Sequence, residues 1–190
     1  MSQQRIEAGL EALSSLALAS RPLGNQVAQL ASQYAEVLRR GGTLFFCGNG
    51  GSAADAQHLA AEYVVRYAAP RRPLAAVALT TDTSVLTAAG NDLAFDQIFA
   101  RQVEALCGSG DLLILHSTSG QSSNLIAAAR SARKAAVPVV AFLGKGGGAL
   151  APLVDTAVIV PSHDTSLVQL IHMAFEHLIV ESVERELFPA

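Results

Sequence analysis

Thr43-Leu44-Phe45-Phe46-Cys47 runs without a break into Gly48-Asn49-Gly50-Gly51-Ser52, and a helix-spaced segment from Ala53 to Tyr67 begins at once. The apolar run, with bulky residues on both parities, predicts a strand buried on two faces. Glycines at the turn let the backbone approach a ligand closely, and the helix N-terminus behind them offers unpaired N–H groups and a partial positive charge. A strand, an anion-binding turn and a helix in that order form the opening of a βαβ crossover. The same logic recurs after the apolar run Asp111 to His116, where Ser117-Thr118-Ser119-Gly120-Gln121-Ser122-Ser123 leads into a helix over Ser122 to Ala135. Hydroxyls clustered at a helix start donate to several oxygens of one phosphate without help from a lysine. Ser, Thr and Gly also cap ordinary helices, so either loop alone reads equally well as a cap. Two such loops at the C-terminal ends of strands, where open α/β sheets bind ligands, favour a phosphate site.

Working outward, short apolar runs at Leu74 to Leu79, Val137 to Leu143 and Thr156 to Val160 complete a set of five predicted strands. Amphipathic segments from Phe95 to Leu106 and from Thr165 to Phe188 add helices, so strand and helix alternate as in a parallel sheet wrapped by helices. Before the first strand, Ile6, Leu10 and Leu13, then Val27, Leu30, Ala31, Tyr34, Val37 and Leu38, recur at helical spacing. Arg21-Pro22-Leu23-Gly24 splits them into two helices. The only glycine-rich stretch, Gly144 to Gly148, lies between two strands and is a loop, so residues 1–190 form one domain. With 190 residues, 51% of them hydrophobic, the chain has ample material for a core.

Charge and motif arithmetic exclude several functions. Thirteen Lys and Arg against sixteen Asp and Glu leave a net charge of −3, unsuited to a partner held by its phosphate backbone. No Gly-Lys-Ser or Gly-Lys-Thr closes a Walker loop. Gly48 to Ala53 fits a dinucleotide-binding string, but the acidic residue that pattern needs comes too late, at Asp82. Cys47 and Cys107 are too few for a disulfide framework and predict reduced thiols. The first segment is interrupted by Glu7 and Glu11 and lacks the basic start of a secretory signal, and no apolar run is long enough to cross a bilayer. A cytoplasmic protein is expected.

Several polar residues sit where packing alone does not call for them. His58 and Glu62 stand four residues apart on one helix face, a spacing that suits either a divalent metal or an ordinary surface contact. The last helix carries Gln169, His172, Glu176 and His177 among Leu167, Leu170, Ile171, Met173, Phe175, Leu178 and Ile179, and each needs a partner if buried. At about 100° per residue, Gln169 and Glu176 differ by about 20°, His172 and Glu176 by about 40°, and Gln169 and His177 by about 80°. Angle alone therefore points to Glu176 as the inward group, while its ordinary role is a solvated carboxylate paired with His172. His116 and His163 cap or line loops on this reading.

These residues together resemble the sugar isomerase (SIS) fold, and within it the phosphoheptose isomerases. The resemblance runs from the two leading helices through Cys47 to Ser52, Asp55, His58, Glu62 and Arg66-Tyr67. It continues over Gly90-Asn91-Asp92 and Ser117 to Ser122 to Gln169, His172 and His177. It implies a three-layer α/β sandwich with a five-stranded parallel sheet and an extra N-terminal helical pair, residues 1–40, used in packing or oligomerisation. It implies a zinc ion held by His58, Glu62, Gln169 and His177, with Glu62 and His177 as the acid–base pair. In the same carry-over Ser117, Thr118, Ser119 and Ser122 hold phosphate. Asn49, Gly50, Gly51, Ser52, Asn91 and Asp92 contact the sugar beside Glu62, Gln169 and Arg66. The reaction implied converts sedoheptulose 7-phosphate into D-glycero-D-manno-heptose 7-phosphate through an enediol. That is the first step toward ADP-heptose and lipopolysaccharide, carried out by a homotetramer with active sites between subunits. The alternative is a non-catalytic SIS module that binds a phosphosugar or a replication initiator protein. Leu167-Val168-Gln169-Leu170, Ala61, Gln121 and His116 depart from the family pattern, and none of the departures occupies a metal position.

Overall fold

The computed structural model describes residues 2–189. Two helices lead, α1 (Ser2–Ala19) and α2 (Gly24–Arg39), parted by a single 3-10 turn over Arg21–Leu23 that carries Pro22 in its first turn. The strands are β1 (Leu44–Gly48), β2 (Ala76–Ala78), β3 (Leu112–Ser117), β4 (Val139–Leu143) and β5 (Thr156–Ile159). They form one five-stranded sheet, all pairs parallel, in the order β2-β1-β3-β4-β5. Helices α3 (Gly51–Val64), α4 (Thr83–Asp92), α5 (Ala100–Leu106), α6 (Ser123–Lys134) and α7 (Thr165–Leu187) follow in chain order.

The pleat of β1 explains the layers. Leu44 and Phe46 face one side, where Val27, Leu30 and Tyr34 of α2 meet Leu59 and Tyr63 of α3 and Ile171 and Ile179 of α7. Phe45 and Cys47 face the other, under Val103 of α5 and Leu125, Ala128 and Ala132 of α6. Each large apolar side chain so buried contributes about 1.5–3 kcal/mol. The three-layer sandwich is the arrangement expected.

Four local differences from the sequence reading have physical causes. Helix α2 belongs to the core, whereas α1 buries only Leu16 and leaves Ile6, Leu10 and Leu18 more than half exposed. The second strand is shortened to Ala76–Ala78 because it is an edge strand, paired only with β1. The predicted helix from Phe95 divides into a 3-10 turn, Phe95–Gln97, and α5. Helix α4 has no counterpart in the sequence reading: none of its residues is buried, so it carries no apolar stripe to read. Its start is marked instead by Asp82, whose carboxylate accepts from the Val85 N–H at 3.0 Å.

Both cysteines are free, Cys47 buried and Cys107 half-buried. Burial pushes the Cys107 thiol up to about 12 and the Cys47 thiol higher still, so neither is activated. No helix among the described residues is long and apolar enough to cross a membrane.

Candidate active site

The strand order changes direction between β1 and β3, and ligands of open α/β sheets bind at that switch, beyond the C-terminal ends of the strands. Gly48 at the end of β1 lies in register with His116 near the end of β3, so the glycine and serine loops emerge side by side. Gly50, with φ +57°, turns the chain into α3. The two loops are tied together by Asn49 and Asn124, whose amides exchange hydrogen bonds of 2.9 and 2.8 Å. Asn124 escaped the sequence reading; its only signal was an amide in the first turn of a helix.

In the serine loop the Ser117 hydroxyl accepts from the Gly120 N–H at 3.0 Å and the Ser119 hydroxyl from the Gln121 N–H at 3.2 Å. Ser122 is the N-cap of α6, yet its side chain makes no capping bond, which leaves that hydroxyl available to an anion at the helix start. Behind the loop, a Cβ on Gly120 (φ +62°) would overlap the Gly147 carbonyl, and one on Gly148 would overlap that of Gly120. The Leu150 N–H donates to the Gly120 carbonyl at 3.0 Å. The glycine-rich segment at 144–148 is therefore the backing of the serine loop.

Helices α3 and α7 lie against each other and bring three predicted ligands together. His58 Nε2 and His177 Nε2 are 2.9 Å apart, and Glu62 Oε1 is 3.3 Å from His58 Nε2. Candidate ligand atoms of all three lie within 4.8 Å of one another. Zinc with bonds of about 2.0–2.1 Å holds tetrahedral donors roughly 3.3 Å apart, and two imidazole nitrogens with a carboxylate oxygen are a donor set it takes. The residues fit the ion. Gln169 lies about two turns before His177 on α7, its amide against Gly51. Burial raises the Asp55 carboxyl above its ordinary range, opposed by His116, the Gln169 amide and His58. Tyr67 covers the other side of the cluster, its ring 5.6 Å from that of His177.

Glu176 is not a solvated partner of His172. It is fully buried and accepts from Tyr34 Oη at 3.3 Å, with His116 Nε2 at 3.2 Å from the same oxygen. His172, also fully buried, instead places Nε2 3.1 Å from the Leu143 carbonyl. Nor does His116 cap a loop: its ring stacks between Phe46 and Phe142. The helical angle correctly turned Glu176 inward, but toward the core beneath the cluster rather than toward His58.

Arg66, Asn91 and Asp92 are exposed. Arg66 follows the C-terminus of α3, while Asn91 and Asp92 end α4 and bond to each other at 2.7 Å. No hydrogen bond among the described residues ties any of these three side chains to the loops or to the histidine cluster.

The open parallel sheet with its loops at the switch point is that of a SIS-domain protein: the SIS domain model matches residues 11–144. A phosphoheptose isomerase of Roseiflexus sp. (strain RS-1) is 51% identical over 162 residues, which cover 85% of this chain and 82% of that one. One from Geobacter sulfurreducens is 46% identical over 185 residues, 97% and 96% of the two chains. The solved structure of the Neisseria gonorrhoeae phosphoheptose isomerase superposes with a TM-score of 0.92 at 38% identity, covering 97% of this chain and 99% of that one. The chain belongs to the phosphoheptose isomerase family.

Proposed function

We propose that this site interconverts sedoheptulose 7-phosphate and D-glycero-D-manno-heptose 7-phosphate, with Glu62 and His177 as its acid–base pair. The observation that carries the proposal is the convergence of His58, Glu62 and His177 within 4.8 Å, beside two anion loops at one end of the sheet. Moving a carbonyl from C2 to C1 requires one group to take a carbon-bound proton and another to exchange protons on oxygen. Glu62 takes the C1 proton to give the enediol and returns it to C2. His177 moves the proton between the two oxygens. Zinc, held by His58, Glu62 and His177 with Gln169 as the weaker fourth ligand, would polarise the carbonyl as a Lewis acid when bound.

The Ser117, Thr118, Ser119 and Ser122 hydroxyls and the N-terminus of α6 hold the phosphate. Asn49, Gly50, Gly51 and Ser52 line the sugar, with Arg66, Asn91 and Asp92 as the outer contacts. The exposed apolar residues Ile6, Leu10 and Leu18 of α1, and Val85, Leu93 and Phe95 on and beside α4, support a homotetramer that brings the outer contacts to the site. The free, unactivated cysteines agree with a reducing cytoplasm, where the product would enter nucleotide-heptose and lipopolysaccharide synthesis.

The test is exchange at the carbon next to the carbonyl, followed in deuterated water with sedoheptulose 7-phosphate, with and without a chelator. Exchange lost on chelation and restored by zinc is the expected result. No exchange by zinc-loaded protein rejects the isomerase reading and leaves a binding module.

A further inference from the structure

One buried ion pair lies outside every role assigned above. The Arg71 and Glu184 side chains are 0% and 5% exposed, and Arg71 Nε donates to Glu184 Oε1 at 2.6 Å. The same carboxylate accepts three successive backbone N–H groups, from Tyr67 at 2.9 Å and from Ala68 and Ala69 at 3.1 Å each. The other two guanidinium nitrogens donate to carbonyls in the last turn of α3, Nη2 to Glu62 at 2.7 Å and Nη1 to Tyr63 at 2.9 Å. Carbonyls in that turn have no helical partner of their own, so Arg71 closes the helix at the residue proposed as base.

We propose that Arg71 and Glu184 are positioning residues, which hold the last turn of α3 and the loop after it so that Glu62 and Tyr67 face His177. Stability alone does not call for such a pair, because an apolar pair of similar volume often serves a core as well or better. An apolar pair cannot bind two helix-end carbonyls and three consecutive amides at once. Lysine cannot replace the arginine either, since the contacts use three nitrogens of one planar fork. Glu184 sits two turns after His177 on α7, so the pair links the helix that carries the histidine to the helix that carries the carboxylate.

The test uses full-length Glu184→Gln and Arg71→Lys. Glu184→Gln loses one oxygen acceptor with little change in volume, and Arg71→Lys keeps the charge without the fork. Both are expected to fold, with kcat on sedoheptulose 7-phosphate lowered about 10- to 100-fold, the loss that small misplacements of reacting groups produce. KM should stay within about threefold, because the serine loop is untouched. In Glu184→Gln the remaining oxygen stays on Arg71 Nε and the Tyr67 N–H, so amide exchange at Ala68 and Ala69, which lose the other oxygen, should quicken by at least about tenfold. The NMR signals of the His177 ring should move as the Tyr67 ring leaves it. If Glu184→Gln does not fold, Glu184→Asp, which withdraws the carboxylate by one methylene, takes its place with the same expectations. The activity arm rests on the proposed function, and the exchange and ring-signal arms do not. A wild type without turnover therefore overturns the isomerase reading alone. Folded variants with wild-type kcat, or with unchanged exchange and ring signals, overturn the positioning role.

Discussion

Asn49 and Asn124 each donate to the other's side-chain carbonyl, at 2.9 and 2.8 Å, and so lock the loop after β1 to the helix that follows the loop after β3. Replacing Asn124 with Ala removes both bonds, each worth about 1 kcal/mol. Asn124→Ala is expected to raise KM for the phosphosugar more than it lowers kcat. Asn124→Asp should be worse, because a carboxylate cannot donate to the Asn49 carbonyl and brings negative charge beside the proposed phosphate site. Steady-state kinetics of the two variants decide this; a fall in kcat at constant KM would show that the tie does not position the glycine and serine loops for binding.

Glu62→Gln keeps the volume and removes the proposed base. Turnover should fall by about 10²- to 10⁴-fold with the melting temperature little changed. Retained activity in the folded variant would remove Glu62 from the mechanism.

Glycine is required at position 120 for two reasons, its left-handed φ of +62° and its packing against the Gly147 carbonyl. Gly146 has a similar φ of +76°, but a methyl group there would meet nothing within 4 Å, so it serves as the control. Gly146→Ala should cost only the backbone strain of about 1–2 kcal/mol, and Gly120→Ala clearly more, with weaker phosphosugar binding. Chemical denaturation compares them. Equal losses would mean that the serine loop yields without cost.

Stability should fall as the solution becomes mildly acidic, and His172 supplies the reason. Burial, and to a lesser degree the neighbouring His116, push its imidazole from 6.5 down to about 3, against the opposing effect of the Leu143 carbonyl. The unfolded chain therefore binds this proton near pH 6.5 while the folded chain does not, and stability decreases as pH drops below 6.5. Between pH 7.5 and 5 the loss is about 2 kcal/mol, and His172→Gln, which does not titrate, should lack it. Denaturation at pH 7.5 and 5.0 for both proteins measures the difference. Parallel behaviour would mean that His172 is not kept neutral by its surroundings.

How much of this was legible in the chain depended on distance along it. The strand from Thr43, the glycine turn and the serine loop were readable because their signals are local: apolar runs, turn residues and helix starts within a few positions. Helix α4 was not, since it buries nothing and has no periodic face. His58 and Glu62 could be paired from spacing alone, but their meeting with His177 rested on family resemblance, because 119 residues separate the two imidazoles that approach to 2.9 Å.

Glu176 marks the boundary most clearly. Helical angle turned it inward, yet its partners, Tyr34 and His116, lie 142 and 60 residues away in sequence. The same holds for Asn49 with Asn124 and for Arg71 with Glu184. Periodicity and turn chemistry determine which elements form and which face each one buries, since both act over a turn or a strand. Which polar groups then meet depends on how α2, α3 and α7 settle on the sheet. That arrangement is set by the packing of many apolar side chains together, so no single stretch of sequence records it.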